Sequence, residues 1–117
     1  MKITICGSIA FYDEMLAAQK QLEQMGHEVK LPPLEIKDGE GKMIPVKEYY
    51  ARRKAAEAGG DSPQWIWDRK AEAIMNHFKK VEWSDRILVL NCEKNGVRGY
   101  IGGNTLMELG IAFFLNK

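Results

Sequence analysis

The segment Gly102-Gly103-Asn104-Thr105-Leu106-Met107-Glu108-Leu109-Gly110 sets a lone carboxylate into an apolar helical run that continues through Phe113 and Phe114. Gly102 and Gly103 let the backbone turn tightly, and Asn104 or Thr105 then caps the helix. The free N–H groups of such a helix start bind anions. Glu108 lies one turn in, with Leu106, Met107, Leu109, Ile111 and Ala112 around it, so its carboxylate faces a cleft rather than open solvent. That setting suits a nucleophile or a general base. A plainer reading competes: Thr105-x-x-Glu108 is also the capping-box spacing, in which the acid only bonds back to the cap N–H.

The elements that must position these residues are legible as strands and helices in alternation. Ile3 to Cys6 is an apolar, β-branched run ending in Gly7-Ser8, and Met15, Ala18, Leu22 and Met25 follow at helical spacing. Gly26 stands where a helix-ending glycine belongs, and His27 to Leu31 resumes an extended pattern that Pro32-Pro33 closes. Ser62-Pro63 signals a second helix start, with a stripe at Trp67, Ala71, Ile74, Phe78 and Val81. Arg86 to Asn91 reads as a strand covered by helices on both faces. These units predict an α/β fold: a doubly wound, mostly parallel sheet of Rossmann or flavodoxin type in a three-layer α/β/α sandwich. A series of this kind returns from its last helix into another strand, whereas the sequence stops at Asn116-Lys117, so the domain reads as truncated at the C-terminus.

With 117 residues, 45% of them hydrophobic, the chain suits one domain over 1–117. Within it, residues 38–64 form a glycine-bracketed, charged excursion, expected to be flexible, with a short helix around 46–58. Arg52, Arg53 and Lys54 there read as a solvated helix face. Seventeen basic and sixteen acidic residues are interspersed for a net charge of +1, which gives no footprint for a nucleic acid polymer or an anionic membrane. Cys6 and Cys92 read as reduced core thiols, and the N-terminal run lacks a signal-peptide pattern, so a cytoplasmic protein is expected. His27 and His77 stand apart and the cysteines lack ligand spacing, so no metal and no cofactor is expected.

Ligands of open α/β sheets bind at the carboxyl ends of strands, here Gly7-Ser8, Asn91-Cys92 and the Gly102–Glu108 turn. Together these segments resemble the nucleoside 2-deoxyribosyltransferase superfamily, and within it the 2′-deoxynucleoside 5′-phosphate N-hydrolase branch. Cys6-Gly7-Ser8-Ile9 is similar to that branch's phosphate-cradling loop, and Trp83-Ser84-Asp85-Arg86-Ile87-Leu88-Val89 to its Ala-Asp-plus-strand element. Glu108-Leu109-Gly110-Ile111-Ala112 matches the Glu-Leu-Gly-x-Ala of its nucleophile helix. The likeness covers roughly half of the chain and leaves residues 32–64 unmatched.

The resemblance implies cleavage or transfer at the N-glycosidic bond of a 2′-deoxynucleoside or its 5′-monophosphate, with Glu108 forming a covalent glycosyl-enzyme. Gly7, Ser8 and Ile9 would hold the 5′ end, and Gly102, Gly103, Asn104, Thr105 and Asn91 would line the substrate. Where the family has its leaving-group acid, eight residues before Asp85, this chain has His77. With an ordinary pKa of ~6.5, it could donate that proton near neutrality. The family's first-strand aromatic hydroxyl is absent, with Tyr12, Tyr49 and Tyr50 as substitutes, and Gly102 replaces an acid or serine. Asp85 reads as a turn-orienting acid, and Trp65, Trp67 and Trp83 as core or interface residues. A homodimer or higher homo-oligomer is implied, since members often complete the pocket from a partner subunit. Two other readings stay open: a non-catalytic nucleotide-binding or sensing module, and an assembly domain whose last helix pairs between subunits.

Overall fold

The computed structural model describes residues 1–60 and 62–117; Asp61, in the expected excursion, lies outside the described residues. The elements in chain order are β1 (Lys2–Gly7), a 3-10 turn (Ile9–Phe11), α1 (Tyr12–Gln24), β2 (Glu28–Lys30), β3 (Glu35–Lys37) and β4 (Met43–Pro45). After them come α2 (Val46–Glu57), α3 (Gln64–Trp83), β5 (Arg86–Leu90) and α4 (Gly103–Phe114). The chain divides into two compact units, one of residues Met1–Pro32 with Asn76–Lys117, the other Pro33–Met75.

The first unit holds a three-stranded, all-parallel sheet in the order β2-β1-β5. β1, with Ile3, Thr4, Ile5 and Cys6 all buried, is the central strand, and among the described residues no other strand is buried along most of its length. Gly26 ends the α1 turn with φ +92°, a left-handed conformation that glycine adopts at no steric cost. Thr4, wholly buried, donates its hydroxyl to the Lys80 carbonyl at 2.8 Å and ties the sheet to the end of α3. Two expectations are corrected here. β5 is an edge strand whose residues Ile87 to Leu90 stay half-buried, because no further strand lies beyond it among the described residues. The α3 stripe is also modified: Val81 is buried and Trp67, Ile74 and Phe78 are half-buried as expected, but Ala71 is exposed and His77, beside the stripe, is buried.

The second unit contains an antiparallel β3-β4 hairpin with Ile36 opposite Ile44. The Asp38 carboxylate closes its turn by accepting the N–H groups of Glu40 and Lys42, both at 2.9 Å. Those bonds hold it below the usual carboxylate range. α2 forms where a short helix was expected, and Tyr49, buried on it, donates to the Ile66 carbonyl at 2.7 Å. Gly39 is required by contact, since a Cβ there would stand 2.6 Å from Cδ1 of Trp65.

α4 turns Glu108 inward, as expected, but leaves much of its apolar surface exposed. Its buried residues are Thr105, Glu108 and Ala112, while Phe113 and Phe114 are 87% and 84% exposed and Leu106 and Met107 also face out. No helix among the described residues is long and apolar enough to cross a membrane.

Two glycine substitutions should separate crowding from chain entropy. Gly39→Ala should lower the urea-unfolding free energy by about 1–3 kcal/mol through overpacking against Trp65. Gly110→Ala, in open space within α4, should raise it by about 0.5–1 kcal/mol. Equal effects of the two would contradict the packing described.

Candidate active site

The capping box does not form. α4 begins at Gly103 with Gly102 as its cap residue, no side chain bonds a cap N–H, and no acid lies in the first turn. Neither Asn104 nor Thr105 is the cap, because the extended backbone at Gly102 starts the helix before either residue. Glycine is nearly as good there as the polar caps, so little stability is lost. Glu108 is thereby left without capping duty and is turned inward at 6% exposure.

Two side chains from other elements meet it. Cys6 of β1, His77 of α3 and Glu108 each bring a ligand-type atom to within 4.8 Å of the other two. The Cys6 sulfur thus faces the carboxylate across the interior. His77 Nε2 lies 3.8 Å from Glu108 Oε1 and 3.1 Å from the Ile5 carbonyl oxygen. Since a carbonyl only accepts, Nε2 carries the proton, and Nδ1 is left as a buried lone pair with no hydrogen-bond partner among the described residues.

Burial sets the charge state of this cluster. Desolvation pushes the Glu108 carboxyl up from 4.5 to about 7, against the pull of the Cys6 hydrogen bond. It pushes the His77 imidazole down from 6.5 to about 4, helped by the nearby Lys80 charge and opposed by the Ile5 carbonyl. Cys6 is raised well beyond the ordinary thiol range, first by its own burial and then by the Glu108 charge. At neutral pH the imidazole is therefore unprotonated, which reverses the donor role expected from its ordinary pKa. Glu108, raised to about 7, is only partly ionised there.

The remaining expected residues stand at the strand ends. Gly7 pairs with Leu90 across β1 and β5, so Ser8 and Asn91 follow neighbouring strand termini. A Cβ at Gly7 would press on the Leu90 carbonyl and on Met15 Cε, both at 3.0 Å. Ser8 caps the 3-10 turn that Ile9 begins, its hydroxyl oxygen accepting from Ala10 N–H at 3.3 Å. Asn91 is exposed, and Gly103 and Asn104 open α4 at the surface. Of the substitute tyrosines, Tyr12 donates to the Pro32 carbonyl at 2.9 Å and Tyr49 to Ile66, while Tyr50 stacks under Arg53. The Asp85 carboxylate accepts from Lys2 N–H at 2.8 Å, which ties the start of β5 to the start of β1.

Three residues were missed in the sequence. Cys6 read as a plain core thiol, yet its sulfur lies within 4.8 Å of the carboxylate. Lys94 donates to the Ser8 hydroxyl oxygen at 3.2 Å and sits 4.8 Å over the Tyr100 ring. Tyr100 in turn meets Phe11 edge-on, with its hydroxyl oxygen 3.3 Å from where a Cβ at Gly102 would be. The signal for both was Asn95-Gly96, a tight-turn dipeptide with φ +50° and +79° that folds the chain back after β5.

No family model, curated protein or solved structure matches the chain. What the site does follows from its own chemistry.

The buried pair predicts an unusual pH response. Glu108, raised in the fold, contributes stability that is complete below 4.5 and lost as pH rises to about 7. His77, depressed in the fold, contributes stability that is present above 6.5 and lost as pH falls to about 4. Each is worth about 3 kcal/mol at most, and the two slopes oppose each other where the windows overlap. Urea-unfolding midpoints of Glu108→Gln should fall on acidification below pH ~6.5, and those of His77→Gln should fall on alkalinisation above pH ~4.5, with the wild type flatter than either. Parallel curves for all three proteins would refute the assignment.

Proposed function

We propose that this protein cleaves, or transfers across, the N-glycosidic bond of a 2′-deoxynucleoside or its 5′-monophosphate through a covalent glycosyl intermediate on Glu108. One observation carries the reading: Glu108 is a buried carboxyl group with no capping duty, facing Cys6 of β1 and His77 of α3 within 4.8 Å. A desolvated carboxylate suits the reaction because the sugar develops positive charge at its anomeric carbon. That charge favours ionised Glu108 in the transition state, where the low local dielectric strengthens the attraction.

In the first step a Glu108 oxygen bonds to C1′ as the C1′–N bond breaks, and the electron pair leaves with the base. His77 is neutral above about pH 4, so the departing base takes its proton from solvent rather than from an imidazolium. Water, or the nitrogen of a second base, then displaces Glu108 from C1′, loses its proton to solvent and restores the carboxylate. Lys94, donating to Ser8 beside the end of β1, supports a 5′-phosphate over a 5′-hydroxyl on this loop. The parallel β2-β1-β5 order supports a doubly wound, three-layer architecture. The apolar outer face of α4 supports a homo-oligomer that covers it.

The second reading is a nucleotide-binding or sensing module, and the near-complete burial of Glu108 together with the missing imidazolium favours it. A panel of deoxynucleosides and their 5′-monophosphates, with and without a free acceptor base, separates the two. Wild-type protein should release or exchange base, and Glu108→Ala should lose more than about 10³-fold in kcat while retaining substrate binding. Binding without turnover across the panel would select the sensing module.

A further inference from the structure

We propose that Cys6, His77 and Glu108 form a binding site for a borderline-soft divalent cation of the zinc class. The residues arrive from β1, α3 and α4, all are buried, and their ligand-type atoms lie within 4.8 Å of one another. Thiolate, imidazole and carboxylate together form a zinc donor set, with three protein ligands and a fourth position left for water or another small ligand. Metal–ligand distances of about 2.0–2.3 Å in a tetrahedral site place ligand atoms about 3.3–3.8 Å apart, so the cluster needs to close by only about 1 Å. A single carboxylate among the donors disfavours magnesium and calcium, which require several oxygens.

His77 supplies a second, independent observation. A metal-ligating histidine commonly donates its other ring N–H to a backbone carbonyl, which fixes the tautomer and frees one nitrogen for the ion. In His77, Nε2 bonds the Ile5 carbonyl at 3.1 Å and is also the nitrogen recorded beside Glu108, 3.8 Å from Oε1, while Nδ1 is buried without a partner among the described residues, so an ion on Nδ1 keeps the Ile5 bond and requires the ring to turn, whereas an ion on Nε2 replaces that bond. A buried nitrogen lone pair left unpaired is a standing cost of the fold. A cation removes it.

The site does not depend on the glycosidic reading, and it bears on it. Glu108 cannot coordinate a metal and attack a sugar at once, so the ion would act as an inhibitor, and chelation would leave turnover intact or higher.

Cobalt(II) titrated into the whole protein reads the site directly through thiolate-to-cobalt charge-transfer absorption in the near ultraviolet. One equivalent should bind with that band and be displaced by zinc. Cys6→Ser should remove the band, and His77→Ala should weaken binding by more than about tenfold. Cys92→Ser and His27→Ala should leave both unchanged; His27 is the control for adventitious binding, because its Nδ1 lies 3.0 Å from the N-terminal amine. Absence of the band in the wild type, or its loss on Cys92→Ser while Cys6→Ser retains it, overturns the proposal. The wild-type titration needs no variant to fold and no turnover, so its failure and that of the glycosidic reading are distinguishable.

Discussion

The desolvation of the Glu108 carboxylate is the constraint on which the rest of the site depends. A carboxylate in water is cheap to ionise; one turned into a protein interior must be paired, hydrogen-bonded or protonated. Here the neighbours are a buried thiol and an imidazole that is itself buried. Neither brings a full positive charge at neutral pH, so the acid remains partly protonated there. The arrangement stabilises a neutral cluster at rest and an ionised one only when positive charge approaches.

Holding that cluster requires an element that buries polar residues and exposes apolar ones. α4 does this: Thr105, Glu108 and Ala112 face in, and Phe113 and Phe114 face out. The sheet supplies the opposing wall. β1, central and buried, contributes Cys6 and the Ile5 carbonyl, and the end of α3 brings His77 to both. Three elements thus fix three side chains, and the Thr4 bond to Lys80 locks the strand and helix that carry two of them. Preorganisation of this kind makes a shifted pKa durable, because relaxation towards water would require whole elements to move.

Much of this was legible in the sequence. β1, α1 with its Gly26 stop, α2 and β5 all carry periodicity or turn chemistry strong enough to read unaided. The β3-β4 hairpin was not legible, because strands of three residues show no alternation to detect. The inward face of α4 was hidden for a different reason. A helix apolar on all sides has no stripe, so only its tertiary partners decide which face is covered. Glu108 was recognisable as a candidate, but Thr105-x-x-Glu108 fitted a cap equally well until Gly102 took that place. The meeting of Cys6 and His77 with Glu108 has no sequence signature at all, since the residues come from three distant segments. The direction of the His77 shift was equally invisible, because a reference pKa carries no information about burial.

The most direct test of the account is a side-chain NMR titration of Glu108 in protein carrying 13C-labelled glutamate, with the resonance assigned by comparison with Glu108→Gln. The buried cluster predicts a carboxyl midpoint of about 7. A midpoint at the ordinary value near 4.5 would mean that the carboxylate is solvated, and the buried, partly protonated acid at the centre of the site would be refuted.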